Sequence, residues 1–129
     1  MPQAALIETL LVDDQRAMRS LVRDSLHEIG FRKIIECQDG REALASLHVR
    51  PTHLVISDLN MPVMDGLELL RAMRGEPNLS GVAFIMLTSR GEADMVKEAI
   101  ALGVNNYLVK PFTLATLRRK IEAVFGPLT

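Results

Sequence analysis

Residues 53–66 read His53-Leu54-Val55-Ile56-Ser57-Asp58-Leu59-Asn60-Met61-Pro62-Val63-Met64-Asp65-Gly66. The run His53 to Ser57 shows no alternation of apolar and polar positions, which is the pattern of a central strand buried on both faces of a parallel sheet. It delivers Asp58 at its carboxyl end. Asp65-Gly66 then opens a helix, with Leu67, Leu70 and Met73 facing inward.

A strand covered on both faces needs helices on both sides, and the flanking sequence supplies them. Upstream, Leu6 to Val12 reads as a first strand. Asp14 stands as the N-cap of a helix carrying Met18, Leu21, Val22, Leu26 and Ile29 at helical spacing, and Gly30 ends it. Lys33 to Cys37 is a second strand, and Asp39-Gly40 starts a helix with Ala43, Leu44 and Leu47 on one face that exits at Arg50-Pro51. Downstream, the turn-forming stretch 75–81 precedes a fourth strand, Val82 to Leu87, which leaves Thr88 at its end. A fourth helix covers roughly Glu92 to Leu102 and stops at Gly103. Asn106 to Val109 is short enough for an edge strand, and Lys110-Pro111 leads to a fifth helix from Thr113 to Phe125, with Leu114, Leu117, Ile121 and Val124 as its buried stripe. Five strand-helix units imply an α/β doubly wound parallel sheet. Residues 1–129 are expected to form a single domain, its core about residues 6–125, with no effector domain.

Composition narrows the function. The 129 residues are 48% hydrophobic and 24% charged, ordinary for a chain that folds alone. Fifteen basic residues against 16 acidic give a net charge of −1, so no global positive field draws nucleic acid or an anionic membrane. The N-terminus lacks a signal-peptide pattern and no apolar run approaches a membrane span, so a cytoplasmic protein is expected. The single cysteine, Cys37, reads as a small core hydrophobe. His27, His48 and His53 show no metal-ligand spacing.

In open parallel sheets, ligands bind outside the carboxyl ends of the strands. The residues collected there are Asp13, Asp14, Asp58, Thr88 and Lys110. Carboxylates sharing one pocket repel, each pair at ~4 Å by about 4 kcal/mol at an effective dielectric near 20. Lys110 supplies one compensating charge. A hard divalent cation with oxygen ligands, Mg2+, supplies the rest, and a phosphoryl oxygen would complete its shell. No Gly-x-x-x-x-Gly-Lys-Ser/Thr loop or Gly-x-Gly-x-x-Gly motif is present to cradle a nucleotide.

Leu11-Val12-Asp13-Asp14, Asp58-Leu59-Asn60-Met61-Pro62 with Asp65-Gly66, Thr88-Ser89, Tyr107 and Lys110-Pro111-Phe112 together resemble the receiver domains of response regulators. The order and spacing hold from about Leu6 to Phe125, and the nearest branch is the CheY-like, single-domain chemotaxis regulators. The resemblance implies a flavodoxin-like sheet of strand order 2-1-3-4-5 with five helices. It also implies phosphorylation of Asp58 by a sensor histidine kinase of the CheA type. Asp14, Asp58 and the backbone carbonyl of Asn60 would hold Mg2+ directly, Asp13 would hold it through water, and Lys110 would pair with a phosphoryl oxygen. Thr88 and Ser89 belong to the phosphoryl-binding set, and Tyr107 turns inward when Thr88 moves. That remodels the face made by the fourth helix, fifth strand and fifth helix. Lys110-Pro111 is expected to be a cis peptide. The implied output is binding of a flagellar motor switch protein by a monomeric regulator, with a phosphatase as a further partner.

Some residues depart from that pattern. Arg90 stands where chemotaxis relatives carry an acidic residue, which points to an altered phosphoryl lifetime or to a merely solvated side chain. Arg118, Arg119 and Lys120 form a basic run on or beside the output face, either a partner contact or a solvated end of a helix. Two other readings stay open. One is a phosphorelay or other stand-alone receiver that does not act on the motor. The other is a Mg2+-dependent phosphohydrolase, disfavoured because Asn60, two residues after the nucleophile, cannot serve as a general acid.

Overall fold

The computed structural model describes residues 2–129. Its strands are β1 (Glu8–Val12), β2 (Lys33–Cys37), β3 (Leu54–Asp58), β4 (Ala83–Thr88) and β5 (Asn106–Val109). Its helices are α1 (Arg16–Ile29), α2 (Gly40–Val49), α3 (Gly66–Arg74), α4 (Ala93–Ala101) and α5 (Leu114–Phe125). The strands form one parallel sheet in the order β2-β1-β3-β4-β5. This is the flavodoxin-like arrangement that the resemblance implied.

Alternation along the strands sorts the core into two layers. Leu11, Leu54, Ile56, Ile85 and Leu87 meet Val22 and Leu26 of α1 and Leu117 and Ile121 of α5. Leu10, Val12, Val55, Phe84 and Met86 face the other way, onto Ala43 and Leu47 of α2, Leu67, Leu70 and Met73 of α3 and Ala99 of α4. β3 and β4 are buried along their whole length, whereas β2 and β5 are partly open, as edge strands are. Among the described residues, no helix is long and apolar enough to cross a membrane.

Side chains set where the helices begin. Asp39 accepts from the backbone N–H of Glu42, Thr113 from that of Thr116, and Asp65 forms a reciprocal capping box with Glu68. Asp14 does not cap α1. The N-cap residue is Gln15, which makes no side-chain cap bond, and the β1–α1 turn is closed instead by Asp13 Oδ1 accepting from the Gln15 N–H at 2.9 Å. This leaves the Asp14 side chain exposed.

Three further expectations shift. β1 starts at Glu8 rather than Leu6, because its first parallel partner is Lys33 of β2. Residues 4–6 form a 3-10 turn whose Ala4 N–H bonds the Thr129 carbonyl, and Leu6 is exposed. Leu21 is 55% exposed, off the stripe formed by Val22 and Leu26. Leu114, in the first turn of α5, is also exposed, while Leu117 and Ile121 carry the buried stripe and Val124 packs partly against it.

Register places the site. Val12 pairs with Ser57, Asp58 with Leu87, and Thr88 with Val109. The residues one step beyond, Asp13 and Lys110, therefore arrive beside Asp58 and Thr88 at one edge of the sheet. The start of α3 is docked just as tightly, since a Cβ on Gly66 would lie 2.5 Å from the Asp58 carbonyl oxygen and 2.8 Å from Met86 Sδ. Gly66→Ala is expected to destabilise the fold by about 1–3 kcal/mol, read as a lower urea midpoint. Gly81→Ala, whose Cβ would meet nothing within 4 Å, should leave the midpoint unchanged or slightly raised.

Candidate functional site

Three carboxylates converge where β1 and β3 end. Asp13, Asp14 and Asp58 each present an oxygen within 4.8 Å of the others. Asp13 is fully buried, Asp58 nearly so, and Asp14 opens to solvent. Lys110 reaches across from the end of β5, its Nζ 2.9 Å from Asp58 Oδ1 and 4.0 Å from Asp13 Oδ2. The Lys110 N–H bonds the Thr88 carbonyl at 2.7 Å, and the Lys110–Pro111 peptide is cis.

The charges do not balance within this group. Burial pushes the Asp58 carboxyl above its ordinary pKa, opposed by the hydrogen bond and charge of Lys110. Burial also pushes Asp13 up, opposed by the Gln15 N–H, while the charge of Asp58 adds to the rise. Among the described residues, Asp13 Oδ2 has no hydrogen-bond partner, and neither does the buried hydroxyl of Thr88. Unpaired buried oxygens are costly, and here they point to a ligand with electrophilic or hydrogen-bonding character. Hard oxygen donors crowded around one lysine suit Mg2+ better than any softer ion.

The surrounding loops hold these groups in place. Arg19 donates from Nη1 to the Asp13 carbonyl at 2.7 Å and from Nε to Glu36 at 2.9 Å, while Arg23 bonds the other Glu36 oxygen at 3.1 Å. Burial alone would push Glu36 up, but the two arginines outweigh it and hold its carboxyl below the usual range. After β3 the chain turns tightly at Val63, which has a φ of 69°, with Met64 N–H bonding the Pro62 carbonyl at 2.8 Å. A β-branched residue in that region is strained, as backbone near functional loops often is.

Sequence reasoning missed Arg19 and Glu92. Glu92, immediately before α4, accepts from the Ser89 N–H and hydroxyl at 2.5 and 2.7 Å, and its other oxygen accepts from the Asn60 side-chain amide. The Ser-x-x-Glu spacing at 89–92 is the one signal that would have found it. Arg19 sits at an ordinary helical position, and nothing local marks it.

The other expected residues fall nearby. Thr88 and Tyr107 line one groove of about 480 Å³ with Val96, Ile100 and Val109, and exposed Arg90 lies at its rim. Lys120 stacks over the Tyr107 ring, 5.1 Å from its centroid, and Arg118 pairs with Glu122 at 3.6 Å. Cys37 is buried and its thiol is pushed up to about 11 by burial, so it is unreactive filler. His53 Nδ1 accepts from the Glu8 N–H, and His48 meets Glu76 at 2.8 Å, both away from the carboxylates.

This geometry coincides with a family match. The model of the response regulator receiver domain matches residues 9–122. The chain is a response-regulator receiver domain. The receiver is 46% identical over 125 residues to the "Probable chemotaxis protein CheY" of Rhizobium etli, covering 97% of each chain. Chemotaxis response regulator CheY4 of Vibrio cholerae superposes with a TM-score of 0.83 at 35% identity, over 92% of this chain and 98% of that one. The receiver domain of a sensor histidine kinase from Pseudomonas aeruginosa, solved with a magnesium ion in its active-site cleft, gives a TM-score of 0.84 at 28% identity. That match covers 98% of this chain and 99% of the other. The receiver is thus CheY-like in both sequence and fold.

Buried carboxyls with raised pKa make a stability prediction of definite sign. Such a group is neutral in both states below about pH 4, and subtracts stability only as the unfolded chain ionises above that pH. In divalent-free buffer at pH 7, Asp13→Asn should raise the thermal midpoint by about 3 °C. The gain should shrink as pH falls through the raised folded pKa and vanish below about pH 4. A variant less stable than its parent at pH 7 contradicts this account.

Proposed function

We propose that this receiver is a cytoplasmic phosphoacceptor switch in which Asp58 takes a phosphoryl group from a phosphohistidine on a CheA-like sensor kinase. The observation that carries the reading is the Lys110–Asp58 contact at 2.9 Å within a cluster of three carboxylates. Among the described residues that contact leaves the other Asp58 oxygen free of side-chain partners, to attack phosphorus. As the new O–P bond forms, the P–N bond to histidine breaks and the imidazole takes up a proton.

The donor set suits Mg2+, which Asp14, Asp58 and the Asn60 carbonyl would hold with Asp13 beside them. When bound, the ion offsets charge on the transferring phosphoryl oxygens. The magnesium ion in the cleft of the Pseudomonas aeruginosa receiver supports the same chemistry here. Lys110 orients the Asp58 carboxylate and then pairs with a phosphoryl oxygen. Thr88, whose hydroxyl has no partner among the described residues, donates to that group, with Ser89 beside it.

Output follows from packing. Thr88 and Tyr107 share the groove between α4 and β5, so a Thr88 hydroxyl drawn toward phosphate empties space into which the Tyr107 ring turns. Phosphorylation thereby biases two packings of the α4–β5–α5 face. The relatives named as chemotaxis proteins support a role in chemotaxis, for which a flagellar motor switch protein is the proposed partner of that face.

Incubation with a small phosphodonor and Mg2+ should place an acid-labile label on the parent and none on Asp58→Asn. Undiminished labelling of that variant overturns the reading. Lys110→Ala should slow labelling by about 100-fold. Because Lys110 opposes the upward push on the Asp58 carboxyl, the acid limb of the labelling profile should move to higher pH in that variant. An unmoved limb means that Lys110 does not set the ionisation of Asp58.

A further inference from the structure

Glu92 has no part in the reading above, although its carboxylate bridges Ser89 and Asn60. Through one oxygen it accepts from the Ser89 N–H at 2.5 Å and the Ser89 hydroxyl at 2.7 Å, and through the other it accepts from Asn60 Nδ2. These bonds tie the β4–α4 loop to the β3–α3 loop. Asp58 and Thr88 stand at the ends of the two strands that feed those loops. The Ser89 donors, adjacent to Thr88, are the kind that phosphoryl oxygens seek, and an internal anion already holds them.

We propose that Glu92 competes with the phosphoryl group. In the unmodified chain its carboxylate takes the Ser89 and Asn60 donors and closes the mouth of the Asp58 pocket, and a phosphoryl group on Asp58 expels it. The proposal rests on Asp58 being the phosphoacceptor. One N–H carries one proton, so a well-formed bond to Glu92 and one to a phosphoryl oxygen exclude each other. The incoming group bears nearly two negative charges, which repel the Glu92 carboxylate as well as displacing it. Glu92 directly precedes Ala93, and its carbonyl accepts from the Val96 N–H at 3.0 Å. Expulsion therefore acts on the first turn of α4, a route from the pocket to the α4–β5 groove that does not pass through Tyr107.

The test uses beryllofluoride with Mg2+ as the phosphoryl mimic, titrated into the parent, Glu92→Ala, Glu92→Gln, Asp94→Asn and Asp58→Asn and read from amide NMR signals. A closed mouth lowers apparent affinity by the fraction of molecules that are open, so both Glu92 variants should bind at about fivefold lower concentration than the parent. Asp94→Asn removes an equal charge from the same turn at an exposed residue, and should leave the midpoint where it was. In the parent, the Asn60 side-chain amide signals should move during the titration to positions they already hold in free Glu92→Ala. Equal midpoints for parent and Glu92 variants, or an equal gain in Asp94→Asn, overturn the competition while leaving Asp58 as acceptor. Failure of every protein to bind the mimic, or binding by Asp58→Asn as tight as the parent's, overturns the acceptor reading and the competition with it.

Discussion

Repulsion among Asp13, Asp14 and Asp58, opposed within the chain by one lysine, is the constraint on which the rest of this receiver depends. A fold selected for stability alone would not bring these oxygens within 4.8 Å of one another with Asp13 fully buried. Sheet register does so because Val12 pairs with Ser57 and Thr88 with Val109, which brings Asp13 and Lys110 to the Asp58 end of β3. Two apolar layers supply the free energy that holds the arrangement, with β3 and β4 buried throughout. The unpaired Asp13 Oδ2 and Thr88 hydroxyl are what remains unsatisfied. A cation and a phosphoryl group are the species that would satisfy both.

The same layering leaves some elements lightly held. α4 has only Ala99 fully buried, and β5 has only Leu108. Elements with little buried surface are the ones whose packing shifts under a modest bias. These two border the groove that holds Thr88 and Tyr107, so lightly buried elements lie next to the end of β4. The basic residues at 118–120 divide between roles: Arg118 pairs within its helix, while Lys120 stacks on Tyr107.

Most of the architecture was legible because its signals are local and repeated. The unalternating run 53–57 marks a doubly covered strand, and Asp39, Asp65 and Thr113 mark helix starts whose caps the structure contains. What failed depended on a partner distant in sequence in one case and on a competing local turn in the other. Leu6 looks like strand, yet pairing with β2 begins only at Glu8. Asp14 looks like a cap, yet the turn it follows is closed by Asp13. That Asp13, Asp14, Asp58 and Lys110 would meet was legible through their place at strand ends and a family pattern. Arg19 and Glu92 were not, since their importance lies in bonds to Asp13 and Asn60 that only the folded loops create.

The central claim is that the three carboxylates form one cation site whose charge the protein alone does not balance. Calorimetric titration of Mg2+ into the parent and into Asp13→Asn, Asp14→Asn and Asp58→Asn tests it most directly. The account requires one ion per chain and a loss of at least about tenfold in affinity from each replacement. A parent that binds no Mg2+, or an affinity indifferent to all three replacements, would contradict it.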